Sequence, residues 1–162
     1  MGRILHAYAH CDIPCGIYDP HGAQLAALTV LRMHQLIGEL PKPTPDMTAK
    51  EREAYVHQLA RYTRVKDDHA EQCKQELRIL WGDYFTPEHV EQFPKLHQLF
   101  WEAMKLASKT RQHIDMVAAQ ELLAAVQQIA ETFWKTKGAT THRQPSLQKA
   151  EGELVYPSPK VK

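Results

Sequence analysis

The stretch "IDMVAAQELLAAVQQIAETFWKTK", residues 114–137, decides the fold class. Val117, Leu123, Val126, Ile129, Ala130 and Phe133 recur three and four residues apart. That spacing puts apolar side chains on one face of an α-helix. It predicts a helix from about Ile114 to Lys137, with Gly138 just beyond it as the residue suited to a left-handed C-cap. No alternation of period two competes with this reading.

The same grammar runs back toward the amino terminus. Pro94 opens a helix that carries Leu96, Leu99, Phe100, Met104 and Leu106. Thr86 followed by Pro87 is an N-cap with proline at the first helical position, so a short helical turn is expected there. Thr48 and Glu51 form a capping-box pattern. From them a long, polar-rich helix should run toward Trp81, with Tyr55, Leu59, Tyr62, Val65, Cys73, Leu77 and Leu80 turned inward. "GDYF" (82–85) ends it, and "PKPTPD" (41–46) forms a stiff connector before it. A first helix from Ala23 to about Leu40 shows Leu25, Leu28, Leu31 and Leu36 at helical spacing. Four substantial amphipathic helices with short links predict an all-α chain, an antiparallel four-helix bundle over residues 21–137. Residues 138–162 are polar, contain proline and show no period, so they read as a flexible tail.

Composition narrows the function. The 162 residues include 20 basic and 19 acidic ones, for a net charge of +1, with the signs interspersed. That is not the footprint of a nucleic-acid binder. No apolar run approaches the length of a membrane span. Three cysteines cannot build a disulfide framework within one chain. Cys73 falls in a helical segment and reads as a buried thiol.

Cys11 and Cys15 differ, because they stand in "HCDIPCGIYDP" (10–20), which has no helical or strand pattern. Two thiolates beside the imidazole of His10 suit a zinc half-site or a redox-labile pair, and a Cys-x-x-x-Cys spacing alone does not choose. Residues 1–9 are too short and too weakly apolar for a secretory signal. With thiols expected to be reduced, this favours the cytoplasm. Yet Ala7-Tyr8-Ala9 has the small-x-small form of a cleavage site. A cut after Ala9 would free the amine of His10. That amine, the amide nitrogen of Cys11 and the thiolates of Cys11 and Cys15 then form a planar set of two nitrogens and two sulfurs. Planar donors point to nickel(II) or copper(II) and away from tetrahedral zinc. The His10 imidazole can add an axial ligand.

The segment resembles the metal hook of the nickel-containing superoxide dismutase family, whose pattern is H-C-D-x-P-C-G-x-Y-D-P. His10, Cys11, Asp12, Pro14, Cys15, Gly16, Tyr18, Asp19 and Pro20 fill every fixed position. "LWGDYF" (80–85), "FPKLHQL" (93–99) and "FWKTK" (133–137) extend the likeness across the predicted bundle. The resemblance implies a four-helix bundle assembled as a homohexamer, with one nickel ion per subunit and superoxide as substrate. It implies a leader, residues 1–9, removed by a dedicated protease. It implies His10, Cys11 and Cys15 as the metal ligands, and Tyr18 and Tyr84 as tyrosines bordering the substrate pocket. Many members carry a Glu–Arg pair that orients the axial imidazole; the matching positions here are Ala26 and His69. The carboxylate is lost, so His69 either contributes directly or is simply an exposed helix histidine. A nickel or copper binding or storage protein without turnover, and a helical interaction module with an incidental thiol pair, are the competing readings.

Overall fold

The structure is a computed structural model that describes residues 16–158. His10, Cys11 and Cys15 lie outside those residues. Helix α1 spans His21–Glu39, α2 Ala49–Ile79, α3 Pro87–Gln92, α4 Leu96–Gln112 and α5 Met116–Thr136. A π-helical turn, Leu80–Tyr84, continues α2. Two short strands follow, β1 at Thr141–Pro145 and β2 at Glu153–Pro157. The chain is therefore mostly helical with a small two-stranded sheet. Among the described residues no helix is long and apolar enough to cross a membrane.

The helix ends follow the sequence signals. The Thr48 side chain accepts the amide of Glu51, and the Glu51 carboxylate accepts the amide of Thr48 at 2.8 Å. Two orphan donors of the first turn are thereby satisfied. Pro87 stands at the start of α3, where its missing N–H costs nothing. At the end of α5 the Gly138 amide donates to the Lys135 carbonyl and the Ala139 amide to the Trp134 carbonyl. Gly138 sits at φ 68°, the left-handed geometry this cap demands.

Helix α1 packs against α2 and α5, and α4 packs against the same two helices. Leu28, Val30, Leu77, Leu96, Phe100, Leu122, Val126, Ile129 and Phe133 fill the space between them. Lys66 is an unusual member of this interior, only 1% exposed. Its Nζ donates to the carbonyls of Thr110 (2.5 Å) and Arg111 (2.9 Å) and to Asp67 Oδ1 (2.7 Å). A cation thus closes the negative end of α4 and ties it to α2.

Two expectations need correction. Of the α2 residues read as inward, Cys73 and Leu77 are buried, as is Leu80 in the π turn, while Tyr55, Leu59, Tyr62 and Val65 remain half-exposed. The reason is length. Thirty-one residues extend α2 to about 46 Å. Seventeen residues take α4 only about 26 Å. The first half of α2 therefore runs past its neighbour.

The second correction concerns the segment after Lys137, which does not follow the expectation of a flexible tail. β1 and β2 pair antiparallel, with Arg143 opposite Val155. Leu154 and Val155 are each 2% exposed. Gly152 lets the turn enter the core. It sits at φ +76°, and a Cβ there would come within 3.3 Å of both Leu28 and Leu123. The burial of two adjacent apolar residues, with glycine at the point of entry, holds the segment down.

Leu154→Ala should lower the unfolding free energy by about 3 kcal/mol, measured by urea denaturation, as for other deeply buried leucines. Asp115 caps α5 through the Ala118 amide (3.0 Å) and pairs with Lys109 (2.7 Å). The hydrogen bond from Lys109 holds its carboxyl below the ordinary 3.8. A lowered carboxylate pKa stabilises the fold above the unfolded value and is lost as pH falls through the folded one. Asp115→Ala should thus lower Tm at neutral pH, and the gap from the parent protein should close as pH drops below 3.8.

Candidate metal centre and its tyrosine floor

The π turn is the local device that builds the site. Its last hydrogen bond runs from the Phe85 amide to the Leu80 carbonyl (3.0 Å), one residue wider than an α-helical bond. Such a bulge rotates the side chains that follow it and recurs at functional sites. Here it sends Phe85 into the core and leaves Tyr84 half-buried at the helix end.

Tyr84 is held on several sides by rings. Its centroid lies 4.4 Å from Phe133, 5.0 Å from Phe85 and 5.7 Å from a stacked His89. Tyr18 closes the group, also at 5.7 Å. The two tyrosines read from sequence therefore meet, although 66 positions separate them (84 − 18).

Hydrogen bonding sets the polarity of Tyr84. Its hydroxyl lies 2.6 Å from Thr136 Oγ1, and the Thr136 hydroxyl donates to the Phe133 carbonyl at 2.7 Å. Thr136 has one proton to give and has given it, so the Tyr84 O–H must be the donor to Thr136. The Tyr84 oxygen is left as an acceptor. Lys137 adds charge: its Nζ lies 5.1 Å from the centroids of both Tyr84 and Phe133. Sequence reasoning missed Thr136 and Lys137, although both belong to the "FWKTK" segment.

Other expected residues fall elsewhere. Trp81 packs on Phe100 and His97 at 5.1 and 5.3 Å, which makes it part of the core, and Asp83 is exposed. Ala26 and His69 do come together. They line one cleft of about 660 Å³, with Thr29 and Arg32 of α1 and with Gln148 and Lys149 from the turn between the strands. His69 Nδ1 lies 2.9 Å from the Val65 carbonyl. A carbonyl can only accept, so Nδ1 carries a proton, and Nε2 is the ring nitrogen not engaged in that bond.

The thiols divide sharply. Cys73 is fully buried, and loss of solvent pushes its pKa up to about 12. A metal needs thiolate, which this site suppresses. Among the described residues no group of three or more His, Cys, Asp or Glu side chains could hold a metal ion. The ligands that the family resemblance implies, His10, Cys11 and Cys15, lie outside the described residues. That segment leads directly into Gly16 and Tyr18. The described residues thus form a mostly helical protein with an aromatic group at the foot of its N-terminal segment.

Comparison with known proteins narrows the class to one family. The profile described as nickel-containing superoxide dismutase matches residues 5–137. The nickel superoxide dismutase of Streptomyces seoulensis is 38% identical over 131 residues, 81% of this chain and 90% of that protein. The corresponding protein of Streptomyces coelicolor is 35% identical over the same length and shares of chain. A crystal structure of a nickel superoxide dismutase with the ligation of its oxidized state superposes with a TM-score of 0.67 at 36% identity, covering 80% of this chain and 100% of that one. A native structure gives 0.66 at 34%, covering 79% and 99%. The chain belongs to the nickel-containing superoxide dismutase family. The activity that goes with membership is dismutation of superoxide, with nickel as the metal.

Two observations test the site. Cys73 should resist alkylation at pH 8 in the folded protein and react only after unfolding, read by mass spectrometry. Tyr84→Phe keeps the ring cage and removes only the bond to Thr136, so Tm should fall by no more than a few degrees.

Proposed function

We propose that His10, Cys11 and Cys15 hold one nickel ion per subunit, and that this centre converts superoxide to dioxygen and hydrogen peroxide. The observation that carries the reading is the complete hook pattern leading in sequence into the aromatic group where Tyr18 and Tyr84 meet. Bound there, nickel supplies one-electron cycling between Ni(II) and Ni(III). The chain supplies the rest. Removal of residues 1–9 frees the His10 amine, whose ordinary pKa near 8 lets a metal displace its proton. The amide nitrogen of Cys11, the thiolates of Cys11 and Cys15 and the His10 imidazole would hold the ion with that amine, and the anionic donors among them would favour its higher oxidation state. His69 stands beside Ala26 where other members carry the orienting Glu–Arg pair, and its Nε2 is not engaged in the bond to Val65.

Tyr18 and Tyr84 border the substrate side. The Tyr84 oxygen, its own proton committed to Thr136, accepts a hydrogen bond from a water or a protonated product. Lys137 places a positive charge beside that pair, which favours an anionic substrate. The four long helices form an antiparallel four-helix bundle, six subunits assemble as a homohexamer, and the protein works in the cytoplasm after its leader is cut.

Cys11→Ser and Cys15→Ser should each abolish both nickel uptake and superoxide decay in the processed protein. Nickel retained without activity in the parent protein would favour the binding and storage reading. Intact mass with metal analysis should show nickel only in protein that begins at His10. Lys137→Gln should lower kcat/KM roughly twofold and flatten its dependence on ionic strength.

A further inference from the structure

The hairpin of β1 and β2 begins beyond Lys137, where the match to the family ends. It grips α1 at the point where the hook enters. Pro20 is buried, and the His21 amide donates to Asp19 Oδ1 at 2.7 Å. The His21 ring lies 5.7 Å from Tyr156 of β2, which stacks in turn with His142 of β1 at 6.2 Å. One turn along, Gln24 is 1% exposed and pairs in both directions with the backbone of Val155. Its Nε2 donates to the Val155 carbonyl (3.1 Å), and the Val155 amide donates to its Oε1 (2.7 Å). The side-chain amide thus stands in for a neighbouring strand. Further along, Gln35 donates to the Ala150 carbonyl at 3.0 Å. The opposite side of the hairpin is anchored to α5. Gln127 Nε2 donates to the Glu153 carbonyl (2.7 Å), and Arg143 bonds Glu131 (2.7 Å) and Gln127 (3.0 Å).

We infer that this hairpin is a positioning element for the metal-binding segment, holding the first turn of α1 and so the root from which His10, Cys11 and Cys15 issue. The inference rests on the nickel reading above. Its physical basis is entropic. A short chelating segment must lose conformational freedom to surround an ion, and a fixed root leaves less to lose. The effect therefore falls on nickel affinity more than on turnover per bound nickel. A hairpin that only staples α1 to α5 would stabilise the fold without favouring metal.

Two full-length variants separate these roles. Tyr156→Leu keeps apolar bulk and removes the ring contact with His21. Arg143→Ala removes the bonds to Glu131 and Gln127 of α5 and leaves α1 untouched. Nickel affinity of the processed protein is measured by chelator competition, and hydrogen exchange is followed over residues 17–24. Tyr156→Leu should bind nickel about tenfold more weakly, the lower end for groups that orient metal ligands. The amides of His21 and Gln24 should also exchange faster in it. Arg143→Ala should lower Tm and change neither readout. The inference is overturned if Tyr156→Leu matches the parent in both, or if the two variants weaken nickel binding in proportion to their loss of Tm. A parent protein that takes up no nickel refutes the metal reading instead. The exchange contrast then decides alone whether the hairpin grips the hook's root.

Discussion

Close approach of the helices is the constraint on which the rest of the structure depends, and alanine provides it. Ala23 and Ala27 of α1, Ala70 of α2, Ala103 and Ala107 of α4, and Ala118, Ala119 and Ala130 of α5 are all fully buried. A larger side chain at these seams would push the axes apart, because interiors are already close-packed. Gly22 extends the seam to the hook's root. A Cβ there would lie 3.1 Å from the carboxylate carbon of Glu76 on α2. With α1, α2 and α5 this close, Tyr18, the end of the π turn and Phe133 meet in one aromatic group.

Polar groups inside this packing are satisfied across elements, which makes the elements depend on one another. Gln24 and Gln127 are buried amides on α1 and α5, and both find backbone partners in β2. Without the hairpin their amides would face apolar neighbours or water, and an unsatisfied buried amide costs about 1–3 kcal/mol. Lys66 repeats the pattern between α2 and α4: it is tolerable in the interior because two carbonyls at the end of α4 need donors. The strands and the helix ends are thus completed by side chains from elsewhere in the chain.

That dependence explains what could be read from the amino-acid order and what could not. Helices and their caps are local, and Thr48, Pro87 and Gly138 announced theirs because the chemistry of a helix end lies within a few residues. The inward face of α2 was legible only where a neighbour covers it; Tyr55 and Tyr62 have the right spacing but lie past the end of α4. The hairpin was missed because it carries little signal of its own. "ELVYP" is five residues long, places two buried residues side by side, and owes its place to Gln24 and Leu28 far away. Tyr18 was singled out by its attachment to the hook and Tyr84 by its segment, and their rings do meet. The roles of Thr136 and Lys137 were not legible, since they arise only when α5 passes the π turn.

The three thiols show how the fold assigns chemistry. Hydrogen peroxide, the product of the proposed reaction, attacks thiolate far faster than thiol. Cys73 lies in the last third of α2 with no exposed surface, and burial keeps it protonated with a pKa of about 12. It serves as a small apolar side chain and is withdrawn from both metal and oxidant. A metal centre needs the opposite treatment, with sulfurs ionised and beside donors that stabilise the ion. In the proposed reading the metal falls to Cys11 and Cys15, which precede the first helix in sequence, so the chain can meet both demands. The one thiol of the packed helices, Cys73, stays inert to the product.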